Sequence, residues 1–186
     1  MKVYIDSREK DFKHIADYFQ EVEQEYEIRR LETGDYQSSG GSNIIIERKR
    51  SVLEFAGNIG KNHQRFFREL KRAKKERKKM IILIEERLNA LSKQVCNRAF
   101  RKLSVWVCDE DKEMLEGIQT RCLDKIKASD PLFLLNFWSD RKCQIQGDTI
   151  YKHCVEIIEW YGVEFVFCEP KNSGKIILEY LRGENG

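Results

Sequence analysis

The chain has 186 residues, 35 % of them charged and 41 % hydrophobic, with a formal net charge of +3. This composition is typical of a folded globular domain, and it excludes a disordered chain. The longest apolar runs are far shorter than the ~20 residues that span a bilayer, so no membrane partner is expected. The N-terminal segment lacks the apolar core of a secretory signal, and the six cysteines form no C-x-x-C pair. We therefore expect an intracellular protein, cytoplasmic or nuclear and not secreted, with reduced thiols and no structural zinc.

The first half of the chain alternates between strand and helix patterns. The predicted strands cover residues 2–6, 27–31, 43–49 and 80–85, with a short additional strand beginning at Gly34. The predicted helices cover residues 11–26 and 62–79, with a shorter helix between them. That shorter helix begins after Ser51, which forms a capping-box pattern with Glu54, and it is expected to break at Gly57 or Gly60.

The second half of the chain closes the same pattern with a helix, a strand and a helix. These elements are predicted over residues 150–161, 163–168 and 173–181. Strands that alternate with helices predict an α/β fold around a mixed sheet. Residues 87–148 look mainly helical, with helices expected over 88–95, 112–128 and 131–139. We therefore predict one domain made of residues 1–86 and 149–186, and a helical insertion of unknown role at 87–148 with its own small core around Trp106 and Trp138.

Positive charge is concentrated in one stretch of the chain. Residues 43–80 carry 13 basic and 4 acidic side chains, whereas residues 1–42 carry 6 basic and 10 acidic ones. A dense basic stretch attracts phosphate polyanions because binding releases counterions. A solvated basic helix has the same composition, so charge alone leaves nucleic-acid binding open.

Charged side chains recur at the ends of the predicted strands: Asp6, Asp35, Glu47 and Lys49. A hairpin can bring Asp35 beside Glu47, and strand alternation places Lys49 on the same face as Glu47. Two carboxylates in one site repel each other unless a cation lies between them, and their hard oxygen atoms favour Mg²⁺ or Mn²⁺. Such an ion activates water and neutralises charge on a phosphodiester, and a nearby lysine stabilises the attacking group or the phosphorane. The pattern alone is weak because chance matches are common in a chain this charged.

Longer segments carry a more specific signal. They are VYIDSREK (3–10), ETGDY (32–36), IIIERK (44–49), EFAGNI (54–59), RFFRELKRA (65–73), IILIE (81–85) and EFVFCEPKNSGKIILEYL (164–181). In order and spacing they resemble the XPF-type structure-specific endonuclease family, in particular its short prokaryotic and phage members. The resemblance implies a restriction-endonuclease-like fold, dependence on Mg²⁺ or Mn²⁺, and cutting of branched, flap or junction-containing DNA. It also implies a homodimer formed through the nuclease domain.

The resemblance further implies roles for individual residues. The expected metal ligands are Asp35 and Glu47, with Asp6 at the metal or close to it. Lys49 would position or activate the attacking water. The residues expected to organise the site and the scissile phosphate are Arg8, Glu9 and Arg48, the last of them counted among the catalytic residues. The residues expected to contact DNA are Arg50, Lys61, Arg65, Arg68 and Arg72.

Two features depart from the family pattern. Family members have Asp at the fourth position after the lysine of ERK, where this chain has Leu53 followed by Glu54. Because one residue turns a helical side chain by about 100°, Glu54 could either replace that Asp or only cap the helix, and a second metal ion is in doubt. Cellular members also carry a C-terminal tandem helix-hairpin-helix domain, which is not expected after Leu181. Selectivity for DNA structure would then come from the dimer, the insertion or a partner.

The sequence thus favours a Mg²⁺-dependent DNA endonuclease that acts by direct in-line attack of activated water. The alternative is a catalytically weak DNA-binding or scaffold subunit, which Leu53 favours and the intact Asp35, Glu47 and Lys49 disfavour. The tract at residues 173–175 lacks the glycine-rich loop of a nucleotide site, so no nucleotide cofactor is expected. The aromatic residues expected in the core rather than at a stacking surface are Tyr36, Phe66 and Phe67.

Overall fold

The computed structural model describes residues 1–60, 63–86 and 142–184, together with positions 132, 134, 135, 138 and 140. Backbone contacts divide the chain into a unit of Met1–Glu86 with Val155–Gly186 and a second unit, Arg87–Cys154. The helices predicted over 88–95 and 112–128, and Trp106, lie outside the described residues. The described apolar side chains of the second unit that are buried include Leu132, Leu134, Leu135 and Trp138. The insertion and its boundaries stay a prediction.

Across the described residues, no helix combines the length and apolar character needed to cross a membrane.

A six-stranded mixed sheet forms the centre of the first unit, in the order β2-β1-β3-β4-β5-β6. The strands are β1 (Val3–Asp6), β2 (Tyr26–Arg29), β3 (Tyr36–Ser38), β4 (Ile44–Lys49), β5 (Lys79–Ile84) and β6 (Glu164–Phe167). The helices are α1 (Lys13–Glu21), α2 (Val52–Ile59), α3 (His63–Lys75), α4 (Gly147–Tyr161) and α5 (Ser173–Arg182). Strand β3 is antiparallel to both β1 and β4, and the other neighbouring strands are parallel. The predicted α/β fold with a mixed sheet is confirmed.

Apolar side chains cover both faces of the central strands. On one face, Ile5 and Ile81 pack with Phe19 of α1 and Ile177 of α5, all fully buried. The helices α2 and α3 supply buried aromatic rings, and Phe55 meets Phe66 edge to face with ring centroids 5.9 Å apart. Burial on both faces explains why β4 and β5 begin as nearly continuous runs of isoleucine and leucine.

Two helices end earlier than predicted. Helix α1 ends at Glu21 rather than at 26, because Glu23 adopts a left-handed conformation with φ 52° and Tyr26 begins β2. Helix α3 ends at Lys75 rather than at 79, because Arg77 has φ 54° and the next strand follows at once. In both places the spacing of apolar residues predicts a longer helix, but the chain leaves the helix early to enter the next strand.

Gly34 shapes the turn into β3 and thereby places the next residue, Asp35. Its φ is +72°, and a Cβ atom would lie 3.1 Å from the carbonyl oxygen of Ile46. We expect Gly34→Ala to lower the free energy of unfolding by about 1–2 kcal/mol, since the left-handed region costs an L residue that much. The matched control is Gly57→Ala in α2, where a Cβ atom meets nothing within 4 Å and should stabilise the helix by about 0.5–1 kcal/mol. Urea denaturation of both variants checks this, and equal effects would contradict it.

Candidate active site

The antiparallel pairing of β3 with β4 brings the predicted carboxylates together. Tyr36 lies opposite Ile46, and the Asp35 N–H donates to the Ile46 carbonyl at 2.7 Å, so the same register places Asp35 opposite Glu47. One face of β4 carries both Glu47 and Lys49, and the Lys49 ammonium donates to Glu47 Oε1 at 2.5 Å. The structure therefore brings Asp35, Glu47 and Lys49 together as predicted. Their chemical roles stay predictions.

These side chains line a cavity of about 200 Å³, here called the carboxylate cavity. Among the described residues, its lining is Arg8, Glu9, Gly34, Asp35, Glu47, Arg48, Lys49, Glu54, Asn58, Arg65 and Glu69. The sequence analysis did not single out Asn58 and Glu69, although both lie in the family-like segments. The signal that could have identified Glu69 is its place one helical turn after Arg65, as the acidic residue of a strongly basic helix.

Burial and mutual repulsion dominate the electrostatics of this cavity. Burial raises the pKa of Asp35 well above its ordinary range, and the charges of Glu47 and Glu9 raise it further. Burial also raises the pKa of Glu69, with Glu47 adding to the shift. Burial disfavours the Lys49 ammonium, but Glu47 and Asp35 outweigh it, so the pKa of Lys49 is raised. The cavity therefore concentrates negative charge around a lysine that stays protonated.

The donor atoms fit a hard divalent cation. Asp35 Oδ2 accepts the Arg48 N–H at 2.8 Å and Glu47 Oε1 accepts from Lys49, and the cavity lies beside both carboxylates. Within the part of the chain that the structure describes, no three His, Cys, Asp or Glu side chains group closely enough to hold a metal by themselves. Mg²⁺ commonly takes only one or two protein carboxylates and completes its coordination with water and substrate phosphate. The carboxylates of Asp35 and Glu47, which line the carboxylate cavity, match that requirement.

In the absence of divalent cations, the raised pKa of Asp35 predicts that stability depends on pH. A carboxyl group with a higher pKa in the folded than in the unfolded state binds its proton more tightly when folded. The free energy of unfolding should therefore fall as pH rises above about 4 through the raised pKa. Asp35→Asn removes this ionisation and keeps the oxygen that accepts the Arg48 N–H, so it should flatten the fall. Urea denaturation in EDTA across pH measures it, and an unchanged slope in the variant would contradict the assignment.

Asp6 lies outside the lining of the carboxylate cavity. Its carboxylate accepts from the Arg8 backbone N–H at 2.7 Å and from the Arg8 guanidinium at 2.9 and 2.5 Å. Burial opposes the charge, but the bonds to Arg8 hold the pKa of Asp6 below its ordinary value. Asp6 thus orients Arg8, which does line the cavity. The predicted role of Asp6 as a metal ligand has no support in this geometry and stays untested.

Arg48, which lines the carboxylate cavity, also links three segments of the chain. Its guanidinium donates to Glu9 at 2.5 Å, to Glu85 at 2.7 Å and to the Lys10 carbonyl at 2.7 Å. Glu85 also accepts from the Ser173 hydroxyl at 2.5 Å. The sequence analysis missed Glu85, although its position directly after β5 is the same kind of signal that identified Glu47. This geometry agrees with the organising role expected of Arg48.

Glu54 lies both at the start of α2 and in the lining of the carboxylate cavity, and its replacement of the family Asp stays a prediction. The Ser51 hydroxyl caps α2 by accepting the Glu54 N–H at 3.2 Å, which confirms the predicted N-cap. The Glu54 carboxylate accepts the Arg50 N–H at 3.1 Å instead of that of Ser51, and it lies at the edge of the carboxylate cavity. Glu54 therefore supports the start of the helix and also adds negative charge near Lys49.

A second space, the arginine cleft, adjoins the carboxylate cavity and measures about 380 Å³. Its lining is Arg8, Arg30, Leu31, Glu32, Arg65, Arg68, Glu69 and Arg72. Three of these, Arg8, Arg65 and Glu69, line both spaces. The two spaces therefore share part of their wall, and arginine side chains of the cleft lie beside the carboxylates.

The residues predicted to contact DNA fall into three groups. Arg65, Arg68 and Arg72 line the arginine cleft. Arg50 instead pairs with Asp11 at 2.6 Å and with Glu54. Lys61 lies outside the described residues. The sequence analysis did not include Arg30, which joins the cleft from the end of β2.

Comparison with known proteins places this geometry in a family. The family model described as ERCC4 domain matches residues 5–180. The solved structure of XPF from Aeropyrum pernix has a TM-score of 0.60 and 16 % sequence identity, and the match covers 100 % of this chain and 65 % of that one. XPF from Aeropyrum pernix in complex with DNA has a TM-score of 0.58 and 16 % identity, over 99 % of this chain and 64 % of that one.

No curated protein matches the chain. The chain spans just under two thirds of the length of the solved XPF chains. The family match covers almost the whole chain, including residues 87–148, and the fold match confirms the predicted restriction-endonuclease-like architecture. The chain therefore belongs to the ERCC4 domain family and has the fold of the XPF nuclease domain.

Proposed function

We propose that this chain is a Mg²⁺- or Mn²⁺-dependent endonuclease that hydrolyses phosphodiester bonds in DNA. One observation carries the proposal: Asp35, Glu47 and Lys49 line a cavity that shares Arg8 and Arg65 with a neighbouring cleft, whose described lining includes five arginines. ERCC4 domain membership supports a nuclease, and the similar fold of an XPF bound to DNA supports this choice of polymer.

The arginine cleft binds the sugar–phosphate backbone in this proposal. Guanidinium groups suit this task because their planar donors match phosphate oxygens in pairs. Arg8 and Arg65 line both spaces, so they orient the scissile phosphate at the mouth of the carboxylate cavity. Asp6 fixes Arg8 through its hydrogen bonds, which reduces the entropy lost when the phosphate binds.

Asp35 and Glu47 would hold the divalent ion, which supplies polarisation of the phosphate and a lowered pKa for attacking water. Lys49 stays protonated because of the two carboxylates. Its ammonium therefore donates a hydrogen bond and positive charge to the phosphate oxygen that becomes more negative in the transition state. Such a lysine positions the reacting groups and stabilises the charge that develops on them.

The finer parts of the proposal rest on the family resemblance. They are a preference for flaps, forks and junctions, and a homodimer formed through the nuclease domain. The alternative function, a catalytically weak DNA-binding subunit, is favoured by Leu53 and by the small number of converging carboxylates within the described residues.

Cleavage assays with labelled flap, fork, Holliday-junction and linear DNA test the proposal, in Mg²⁺, Mn²⁺ or EDTA. We expect cutting only with a divalent ion and its loss in Lys49→Ala. Lys13→Ala is the matched control, because this exposed lysine pairs with Asp17 on α1 outside the site. Salt-sensitive DNA binding without cutting in any metal would select the scaffold function and reject the enzyme.

A further inference from the structure

A third concave space lies on α3 outside the two already described. It measures about 500 Å³ and is here called the aromatic pocket. Its lining is His63, Gln64, Phe67, Arg68, Lys71 and Tyr161. All but Tyr161 belong to α3, and Tyr161 is the last residue of α4.

Two aromatic rings form the apolar wall of this pocket. Phe67 and Tyr161 meet at 65° with their ring centroids 6.0 Å apart. Both rings are partly exposed, whereas Phe66 is 1 % exposed and belongs to the core. Phe66 belongs to the core as predicted, whereas Phe67 packs on it with ring centroids 6.0 Å apart and lies at the edge of the core, because neighbouring positions on a helix point about 100° apart.

The polar part of the lining carries positive charge. Arg68 and Lys71 stand one turn apart on α3, and the lining that the described residues provide includes no carboxylate. Lys74 adds charge at the rim, where its ammonium lies 5.9 Å from the Tyr161 ring centroid and donates to the Trp160 carbonyl. Arg68 also lines the arginine cleft, so the pocket lies next to the proposed path of the DNA backbone.

We infer that the aromatic pocket binds an unpaired nucleobase of single-stranded DNA. Proteins that hold single strands combine a positive groove with aromatic rings on which bases stack, and this pocket joins both features. The exposed parts of the Phe67 and Tyr161 rings offer the stacking surface, and Arg68 and Lys71 bind the neighbouring phosphates. A base inside a duplex cannot reach such a pocket, so the site selects unpaired DNA. The inference rests on the proposed function, because it extends a strand bound in the arginine cleft.

A second copy of this chain is the other occupant to consider. A symmetric dimer brings the same patch of both subunits together. On this pocket it would set Arg68, Lys71 and Lys74 against the same cations of the partner, and like charges in contact are unfavourable. Charge complementarity therefore favours a polyanion over a second copy.

Fluorescence anisotropy of the full chain in EDTA tests the inference without cleavage. The probes are a labelled oligothymidine and a duplex of equal length. We expect Tyr161→Ala to weaken binding of the single strand about tenfold, a typical value for one stacked base, and to leave duplex binding within twofold. Lys71→Ala should weaken single-strand binding more than Lys75→Ala, which removes the same charge from α3 outside the pocket.

Photo-cross-linking provides a readout that needs no substitution. An oligonucleotide containing 5-iododeoxyuridine should cross-link to the peptides that carry Phe67 or Tyr161, identified by mass spectrometry. Cross-links only to other peptides would overturn the inference while the proposed function stands. The same holds if Tyr161→Ala lowers the affinity for single strand and for duplex equally. Tyr161→Ala that dissociates a dimer in sedimentation but keeps single-strand affinity would assign the pocket to a second copy and also overturn the inference. Absence of all DNA binding by the unmodified chain would reject the proposed function together with the pocket.

Discussion

Asp35→Asn is expected to lower the rate of metal-dependent DNA cleavage by at least about a hundredfold. Substitution of a residue that only hydrogen-bonds to a metal ligand already lowers metal affinity or activity about 10–100-fold. The loss of a proposed ligand should therefore lower the cleavage rate more. The amide retains the size of the side chain and the oxygen that accepts the Arg48 N–H, so the local fold should persist. It removes the negative charge that a divalent ion needs. Single-turnover cleavage of a labelled fork measures the rate.

DNA binding by the same variant separates chemistry from affinity. Removing a buried carboxylate next to the path of a phosphate should leave the affinity unchanged or raise it, as anisotropy in EDTA will show. Asp17→Asn on exposed α1 is the control for the loss of one acidic charge, and it should cut at the normal rate. An Asp35→Asn protein that cleaves as fast as the unmodified chain would remove Asp35 from the chemistry.

Arg48→Met is expected to lower the free energy of unfolding by about 3–5 kcal/mol, the usual cost of removing one partner from a buried ion pair. Arg48 is 4 % exposed and pairs with Glu9 and Glu85. Methionine has a similar length and no donor, so it takes the guanidinium away from both buried carboxylates, although Glu85 keeps its bonds to His14 and Ser173. Urea denaturation near neutral pH measures the loss.

Two further variants make this result specific. Arg50→Met removes an exposed arginine that pairs with Asp11 and Glu54, and surface pairs contribute only about 0–1 kcal/mol. Adding Glu9→Gln and Glu85→Gln to Arg48→Met removes the uncompensated charges, so stability should recover in part. The network would not depend on the Arg48 charge if Arg48→Met lost less unfolding free energy than Arg50→Met. The same conclusion would follow if the added glutamines restored no stability.

The strands and the central carboxylates could be predicted from sequence because local patterns specify them. The alternation in β4 fixes the common face of Glu47 and Lys49, and the short connection between β3 and β4 sets the register that places Asp35 opposite Glu47. The ends of α1 and α3 could not be predicted, because pairing in the sheet decides them. The fold family followed from the longer matching segments rather than from periodicity.

The rest of the site depends on how distant elements pack. Glu69 lines the carboxylate cavity through the packing of α3, and its place one turn after Arg65 is only an indirect local signal for that contact. Asp6 illustrates the reverse case, since its position after β1 suggested the metal site but Arg8 two residues later takes its carboxylate. Charged residues at the ends of strands therefore indicate which edge of the sheet carries the site. They do not show which of these residues belong to the site.

The most direct test of the central claim is an anomalous-scattering map from crystals of the chain soaked in Mn²⁺. The account predicts a manganese peak bonded to carboxylate oxygens of both Asp35 and Glu47, with water completing the coordination. Crystals of Asp35→Asn treated in the same way should lose that peak. A peak bonded to other residues, or an empty carboxylate cavity in crystals of a preparation that cuts DNA in Mn²⁺, would contradict the account.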